Sequence, residues 1–384
     1  MRESGLAGRK QQRWMVTIFF FFSGIIAATW SSRIPDIQAK LSLNNAGLGT
    51  VLFAVPVGLV TGLSFSSWAV VSFGAKRMLL VSCLLASVFL ALAGLANTSF
   101  LLMLVIFCLG ITRTLINLSA NTAALEVQQW YDRPILASFH GMWSLACFGA
   151  AGISAVVIAY GINPMFHFVS VAFFIAIITL LLPLKQKATQ ATERRPFFVM
   201  PDKYLFLLGL MGLCSMMCEG AVFDWSVNYF EKVVGAKKSM VMTGYIFFMI
   251  TMAGGRLVGD WLMHSFGVYR MLVICASLMA AGFFLAASFP FFIPTATGFL
   301  LIGMGDSILV PAIYMLASKT RKMPTSYALS SVTLIGYGGF IISPLLIGNV
   351  SQHWGMPAAF FILTGISLLL IILTLLVKKT AART

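Results

Sequence analysis

The chain has 384 residues, of which 59% are hydrophobic and only 10% are charged, and its mean hydropathy is +0.94. An ordinary soluble domain carries about 25% charged residues, so this composition excludes a soluble globular protein and indicates a membrane protein. The formal net charge of +15 would suit a nucleic-acid-binding protein, but the basic residues are spread over many short loops and leave no basic patch for nucleic acid.

Uncharged stretches that are long enough to cross a bilayer recur along the sequence. A helix needs about 20 predominantly apolar residues to cross the hydrocarbon core. The sequence therefore predicts an all-α integral membrane protein with twelve transmembrane helices. The predicted spans are residues 14–38, 45–72, 77–96, 100–128, 135–160, 165–184, 204–232, 239–264, 271–289, 293–318, 325–350 and 358–377.

The lysine and arginine residues predict how these spans are oriented. Nineteen of the 26 Lys and Arg residues lie in the termini and loops on one side, whereas the opposite loops hold only Lys40, Lys232, Lys237 and Lys238. Basic loops remain in the cytoplasm, so both termini are predicted to be cytoplasmic. The first apolar stretch lacks a cleavage motif and is predicted to remain as a signal anchor.

The six cysteines all lie within predicted spans. Cysteine in such surroundings behaves as a small hydrophobic residue, so we expect no disulfide. Cys214 and Cys218 share a helical face, but no second pair of ligands of the kind a zinc site requires accompanies them. No metal site is therefore predicted.

Two segments of the chain repeat at a constant offset. SFGAKRML at residues 72–79 matches SFGVYRML at residues 265–272 in six of eight positions, at an offset of 193, and the same offset relates Gly110 to Gly303. A fixed internal period indicates a duplicated structural unit. We predict two copies of a six-helix bundle joined by a polar, basic linker. The predicted domains are an N-terminal bundle at residues 1–184, a cytoplasmic linker at 185–203 and a C-terminal bundle at 204–384.

Two six-span halves in the same orientation, with glycine-containing basic turns after the second and eighth spans, resemble the major facilitator superfamily. SSRIPDI at residues 31–37, SFHGMWS at 138–144 and EGAVFDWS at 219–226 further resemble the YbjJ-type branch of bacterial inner-membrane permeases, which is similar to the fucose and glucose permease group. The resemblance implies a monomeric, multi-pass protein of the bacterial inner membrane. It also implies a solute site near the midplane between the halves.

The loop signature of that superfamily is only partly present. Ser67 and Val71 stand where its first glycine and its aspartate would be. The resemblance implies that charges near this loop hold the cytoplasmic side closed. The predicted gating pairs are Glu126 with Arg133 and Arg256 with Asp260; the alternative is that these side chains extend to the membrane surface without a gating role.

Charged residues inside the predicted spans are candidates for function. An ionised side chain at the centre of a spanning helix costs about 2.5–3.5 kcal/mol on insertion scales, so it normally faces a partner or a wet cavity. The offset of 193 relates Arg113 to Asp306, and the resemblance places the spans that carry them along the central cavity. We expect the two residues to meet directly, to bind opposite ends of a solute or to exchange one role for the other during the cycle, and both are candidate solute-binding residues. The alternative is a buried pair that only stabilises packing.

Helical spacing extends the predicted solute site along the fourth span. Arg113, Asn117 and Asn121 follow one another at intervals of four and share a face. Other polar and aromatic residues of the cavity-lining spans are candidates, and packing is the alternative for the tryptophans and the histidine. The further predicted solute-binding residues are Arg33, Trp30, His140, Trp143, Trp225 and Asn228.

The outer end of the first span combines opposite charges with a proline. Arg33 and Asp36 share a face with Thr29. We expect the two charges to neutralise each other or to reach the acidic residues of the seventh span. Pro35 is predicted to bend the helix, which is tolerated at membrane depth where the bend lines protein or water.

No sequence motif indicates an enzyme, an ATP-binding loop or a cofactor. The driving force is therefore expected to come from an ion, either a proton or sodium. A buried carboxylate can bind and release a proton as its exposure changes, and the predicted proton carriers are Glu219, Asp224 and Asp36.

The sequence thus predicts a secondary transporter, a proton symporter for a small polar and sugar-like solute. One alternative is a proton-coupled drug or metabolite exporter, although GMWSLACFGAAG lacks the proline that such exporters usually carry in the fifth span. The other is a receptor with the same fold that does not move solute.

Overall fold

The computed structural model of the chain describes residues 2–131, 135–182, 200–320, 323 and 325–381. These residues form α-helices and one short 3₁₀ helix, Lys238–Met240, and they contain no strand. Within the described residues, twelve helical spans are long and apolar enough to cross a membrane. The predicted all-α fold with twelve transmembrane helices is confirmed. The α-helices are α1 (Arg2–Ser32), α2 (Ile34–Lys40), α3 (Asn45–Leu52), α4 (Ala54–Phe73), α5 (Ala75–Leu95), α6 (Ser99–Gln128), α7 (Leu136–Ala159), α8 (Pro164–Leu181), α9 (Lys203–Lys232), α10 (Thr243–Phe266), α11 (Val268–Ser288), α12 (Phe292–Ala317), α13 (Thr325–Trp354) and α14 (Met356–Ala381).

The described residues group into two compact units. Unit 1 contains those between 1 and 41 and between 54 and 195, whereas unit 2 contains those between 42 and 53 and between 196 and 384. Helix α3 therefore packs with unit 2, although it is the first part of the second predicted span.

The first span bends where the sequence predicts it. Helix α1 ends at Ser32, Arg33 adopts a turn with φ −108° and ψ 7°, and Pro35 lies in the first turn of α2. Proline has no N–H to donate to the carbonyl four residues earlier, and its ring collides with that carbonyl. The main chain tightens here, because the Arg33 N–H donates to the carbonyl of Trp30 at 3.1 Å.

The second span also divides into two helices, which the sequence analysis did not predict. Helix α3 ends at Leu52 and α4 begins at Ala54. Pro56 cannot donate to the Leu52 carbonyl, which explains an interruption at this point. The start of α3 is capped by Asn44, whose Oδ1 accepts from the Gly47 N–H at 2.7 Å.

Glycines allow α3 and α13 of unit 2 to pack closely. A Cβ atom added at Gly49 would collide with the carbonyl oxygen of Pro344 and would lie 3.0 Å from the Cα of Gly348. The main-chain N–H of Asn45 donates to Oε1 of Gln352 at 3.0 Å. Lipid tails are as apolar as the helix surface, so the hydrophobic effect does not drive helices together inside a membrane. Close packing at small residues and interhelical hydrogen bonds stabilise helix association instead.

The internal repeat is visible in the packing within each unit. In unit 1, a Cβ at Gly110 would collide with the carbonyl oxygen of Val55; in unit 2, a Cβ at Gly303 would collide with that of Phe248. Gly303 lies 193 residues after Gly110, and Phe248 lies 193 residues after Val55. The two bundles therefore bring corresponding helices, α4 with α6 and α10 with α12, together by the same contact.

The turns that follow α4 and α10 both require glycine. Gly74 has φ 85° and Gly267 has φ 83°, a region that other residues rarely adopt. These two glycines occupy equivalent positions in the repeated SFG sequence, so the repeat preserves the turn as well as the helix contact.

Candidate transport site

An ion pair joins two helices of unit 2. Glu219, near the centre of α9, has its Oε1 atom 3.8 Å from Nη2 of Arg256 on α10. The two side chains are only 12% and 31% exposed. A separation of 3.8 Å is longer than a hydrogen bond but brings the charges close enough to stabilise each other in surroundings of low polarity.

A second carboxylate lies beside this pair. Asp306 on α12 is 2% exposed, and its Oδ1 accepts a hydrogen bond from Oγ of Ser215 at 3.1 Å. Asp306 is also near enough to interact electrostatically with Glu219 and Arg256. Helices α9, α10 and α12 thus bring two acidic groups and one basic group together; we call Ser215, Glu219, Arg256 and Asp306 the charge cluster.

Glycine packing explains why these three helices converge. A Cβ at Gly255 would collide with Oγ of Ser307. These two residues are the sequence neighbours of Arg256 and Asp306. Because the absence of a side chain at Gly255 lets α10 approach α12 closely, the two charged residues are held near one another.

The charge cluster extends to α13 through hydroxyl groups. Tyr314 on α12 interacts electrostatically with Glu219. Oγ1 of Thr333 on α13 donates to the Tyr314 hydroxyl oxygen at 3.0 Å. The hydroxyl of Tyr314 is thereby oriented by a neighbouring helix, and it can hydrogen-bond with either protonation state of a nearby carboxyl group.

In unit 1, Arg33 is held by three hydrogen bonds. Its Nη1 lies 2.8 Å from Oδ2 of Asp36, its Nε donates to Nδ1 of His167 at 3.1 Å, and its Nη2 donates to the Ile162 carbonyl at 3.0 Å. Arg33 is 1% exposed. Of the two arrangements expected from the sequence, the structure shows Arg33 and Asp36 paired with each other.

The polar stripe predicted on the fourth span lies on α6 of unit 1. Nδ2 of Asn121 donates to Oδ1 of Asn117 at 3.0 Å and to its main-chain carbonyl at 2.8 Å. Asn117 is exposed, whereas Arg113 and Asn121 are half-buried. The structure thus keeps these three residues on one face of α6, each at least partly exposed.

The aromatic candidates differ in accessibility. Trp30 is 3% exposed and lies 6.3 Å from the ring of Phe168, and Trp225 is fully buried. His140 is exposed, with its ring 5.1 Å from that of Phe20. Both buried tryptophans pack inside their units, as the packing alternative expects. Of the remaining predicted residues, Trp143 and Asp224 are half-buried and Asn228 is buried.

The predicted gating pairs are described only in part. Arg133 and the side chain of Asp260 lie outside the described part of the chain. Glu126 is half-buried and interacts electrostatically with Lys76. The ion pair that the structure describes for Arg256 is with Glu219.

Two contacts of the candidate site were missed by sequence reasoning. Ser215 precedes Glu219 by four residues, so the spacing that identified Asn117 and Asn121 would also have found it. His167 carries no such signal, because its contact with Arg33 joins residues that are 134 positions apart.

The cysteines and the metal-ligating residue types show no metal centre in the described chain. All six cysteines are free thiols. Within the described residues, no group of three or more His, Cys, Asp and Glu side chains could hold a metal ion.

The chain is similar to known membrane transporters. A family model described as Major Facilitator Superfamily matches residues 14–327. An uncharacterized MFS-type transporter of Yersinia pestis is 28% identical over 344 residues, which cover 89% of each chain. Among solved structures, a mutant of the nucleoside transporter NupG superposes with a TM-score of 0.81 at 13% identity and covers 95% of this chain and 99% of that one. A bacterial homologue of the human lysosomal transporter Spinster, in an inward-facing and unoccupied conformation, gives 0.76 at 14% identity and covers 97% of both chains.

Proposed function

Because the chain belongs to the Major Facilitator Superfamily, we propose that it is a secondary active transporter that moves a small polar solute by alternating access in symport with protons. The membership and the transporters among its relatives make it a multi-pass transporter of this superfamily rather than an enzyme. A location in the bacterial inner membrane, cytoplasmic termini, a monomeric state and membership of the YbjJ-type branch are parts of the proposal.

The observation that carries the proposal is the ion pair between Glu219 and Arg256 beside the buried Asp306. Burying such charges is expensive, and a buried ion pair is often no more stabilising than apolar residues of similar volume. Charged groups inside a membrane domain are therefore a hypothesis of function, and here two of them can bind a proton.

The ion pair supplies a physical basis for coupling. When Glu219 is ionised it attracts Arg256, and when it is protonated this attraction is lost. A proton that binds more tightly to one arrangement of α9 and α10 than to another shifts the population toward the first arrangement. The difference between the two affinities sets the size of the shift. Proton binding and conformation are then linked, as symport requires.

The solute is proposed to bind through the polar stripe on α6. Asn117 and Asn121 present amide groups, which hydrogen-bond hydroxyl groups well. The planar guanidinium of Arg113 adds several N–H donors in a fixed geometry. These groups favour a sugar-like solute. A nucleoside is a second candidate, because it also carries a hydroxylated ring and because a structural neighbour is a nucleoside transporter.

Flux measurements in proteoliposomes test the proposal. Radiolabelled glucose and uridine would first be screened for thermal stabilisation of the detergent-purified protein, because a ligand that binds the native state raises its apparent stability. A solute that binds would then be offered to proteoliposomes with an alkaline interior.

Symport predicts that the solute accumulates inside when the interior is alkaline and that accumulation ceases without the gradient. Accumulation only with an acidic interior would identify an exchanger instead. Binding without flux in either direction would identify a receptor and would contradict the proposal.

A further inference from the structure

We propose that Glu219 and Asp306 hold one proton between them, that Arg256 balances the remaining negative charge, and that this single proton is the coupling ion. The inference rests on the proposed function for its role in transport. The proton content of the charge cluster is a property of the folded protein itself and can be measured without any solute.

The first argument is a charge count. Glu219 and Asp306 both ionised carry two negative charges, and the cation that interacts with Asp306 in the described chain is Arg256. Full ionisation would leave one uncompensated charge in a buried site, which is strongly unfavourable. One retained proton makes the cluster neutral.

The neighbouring groups do not change this count. Helices α9 and α11 place Cys218 and Cys275 close enough to Asp306 for an electrostatic interaction, and Tyr314 interacts with Glu219. Neutral thiol and phenol groups supply no positive charge. The hydroxyls of Ser215 and Thr333 are likewise neutral, so among these groups Arg256 remains the balancing cation.

The second argument identifies which carboxyl carries the proton in this structure. Glu219 faces the Arg256 guanidinium at 3.8 Å, whereas the hydrogen-bond partner of Asp306 is the neutral hydroxyl of Ser215 at 3.1 Å. Asp306 is also the more buried of the two, because the whole residue is 2% exposed and the whole Glu219 residue is 9% exposed. The proton is therefore assigned to Asp306 and the charge to Glu219.

This assignment gives Asp306 and Ser215 different roles from those suggested by the sequence. Asp306 becomes a proton-binding residue rather than a solute ligand. Ser215 becomes a positioning residue, because its hydroxyl can donate to an ionised carboxyl group and accept from a protonated one.

The third argument concerns the identity of the ion. A sodium ion at this pair would lie beside the Arg256 guanidinium, and two cations so close repel each other in surroundings of low polarity. A proton needs only one carboxyl oxygen.

Infrared spectroscopy of the purified full-length protein tests the inference, because a protonated carboxyl group has a carbonyl band of its own. We expect this band at neutral pH in the wild type and its loss in Asp306→Asn. Glu219→Gln should lose it as well, because Arg256 then becomes available to balance an ionised Asp306. Glu231→Gln, an exposed carboxylate at the end of the same helix, is the matched control and should keep the band.

Arg256→Gln should change the intensity of the band in the opposite direction, which misfolding of the variants would not explain. Without the guanidinium, both carboxyl groups should be protonated and the band should roughly double. Ser215→Ala should shift the frequency of the band by removing its hydrogen bond, and Ser215→Thr should restore it. Loss of the band in only one of Asp306→Asn and Glu219→Gln, or in neither, would overturn the shared proton.

Transport measurements distinguish failure of this inference from failure of the proposed function. In proteoliposomes the ratio of protons to glucose or uridine should be one, and replacing sodium by choline should leave uptake unchanged. A sodium requirement would overturn the inference while transport stands. Absence of flux with an intact, variant-sensitive band would refute the transport function and leave the shared proton supported.

Discussion

Nε of Arg33 donates a hydrogen bond to Nδ1 of His167 at 3.1 Å and so joins the end of α1 to the beginning of α8. The acceptor role of Nδ1 requires that the proton of the neutral imidazole lie on Nε2. Together with Asp36 and the Ile162 carbonyl, His167 satisfies a guanidinium that is almost entirely buried. This contact stabilises unit 1 at the point where Pro35 interrupts the first span.

Replacing Arg33 is expected to destabilise the protein more than replacing Asp36. Arg33→Ala leaves His167 and the Ile162 carbonyl without their donor in a buried site, at a cost of about 3 kcal/mol or more. The side chain of Asp36 is 40% exposed, so water can replace it and Asp36→Asn should cost about 1 kcal/mol or less. Thermal unfolding of the purified variants measures the difference. Equal losses would show that burial of the guanidinium does not matter.

The contact between α3 and α13 should be sensitive to a single methyl group. Gly49→Ala places a Cβ against the Pro344 carbonyl, so α3 must move and its packing is lost in part. We expect a lower unfolding temperature. Gly365→Ala on α14 is the matched control, because a Cβ there meets no atom within 4 Å and alanine improves helix propensity by about 1 kcal/mol. The prediction is wrong if both variants change stability in the same direction.

Glu219→Gln is expected to uncouple transport from the proton gradient. The amide retains the size of the side chain but cannot bind a proton, so exchange of labelled for unlabelled solute should persist while accumulation against a gradient is lost. Both rates would be measured in the same proteoliposomes, with Glu231→Gln as the control. Unaltered accumulation by Glu219→Gln would assign the proton carrier elsewhere.

Arg113→Ala is expected to lower solute flux strongly without preventing insertion. The half-buried guanidinium lies on the same face of α6 as the two asparagines, and loss of one charged hydrogen bond to the solute should lower the transport rate by at least about tenfold. Arg9→Ala, at an exposed position near the start of α1, is the control. Normal flux by Arg113→Ala would remove this residue from the solute site.

The elements that the sequence predicted correctly depend on local properties. The twelve spans follow from the length of the apolar stretches, and the bend after Ser32 follows from the chemistry of Pro35. The second span shows the limit of this approach, because Pro56 lies within an apolar stretch and carries no charge that would mark an interruption. Its effect on the backbone is local, but its consequence, the packing of α3 with unit 2, is not.

The candidate site was predicted as a set of residues rather than as a set of contacts. Glu219 and Asp306 were identified from charge inside an apolar span and Arg256 from its place near the loop signature, and the three were assigned to different roles. Their proximity depends on the rotation of three helices about their axes and on a glycine at residue 255 that lets two of them approach. Charge and spacing along one helix contain no information about either.

The sequence by itself determined that this chain lies in a membrane, that it crosses it with twelve helices and that it carries a duplicated bundle. Hydrophobicity acts over short stretches of chain, and a repeat is visible when two short segments are compared. Only the tertiary structure decided that Arg33 contacts His167 and that Arg256 lies near the two acidic side chains of Glu219 and Asp306. Those contacts join residues far apart in sequence, and they form where close helix packing makes an unpaired charge too costly to leave buried.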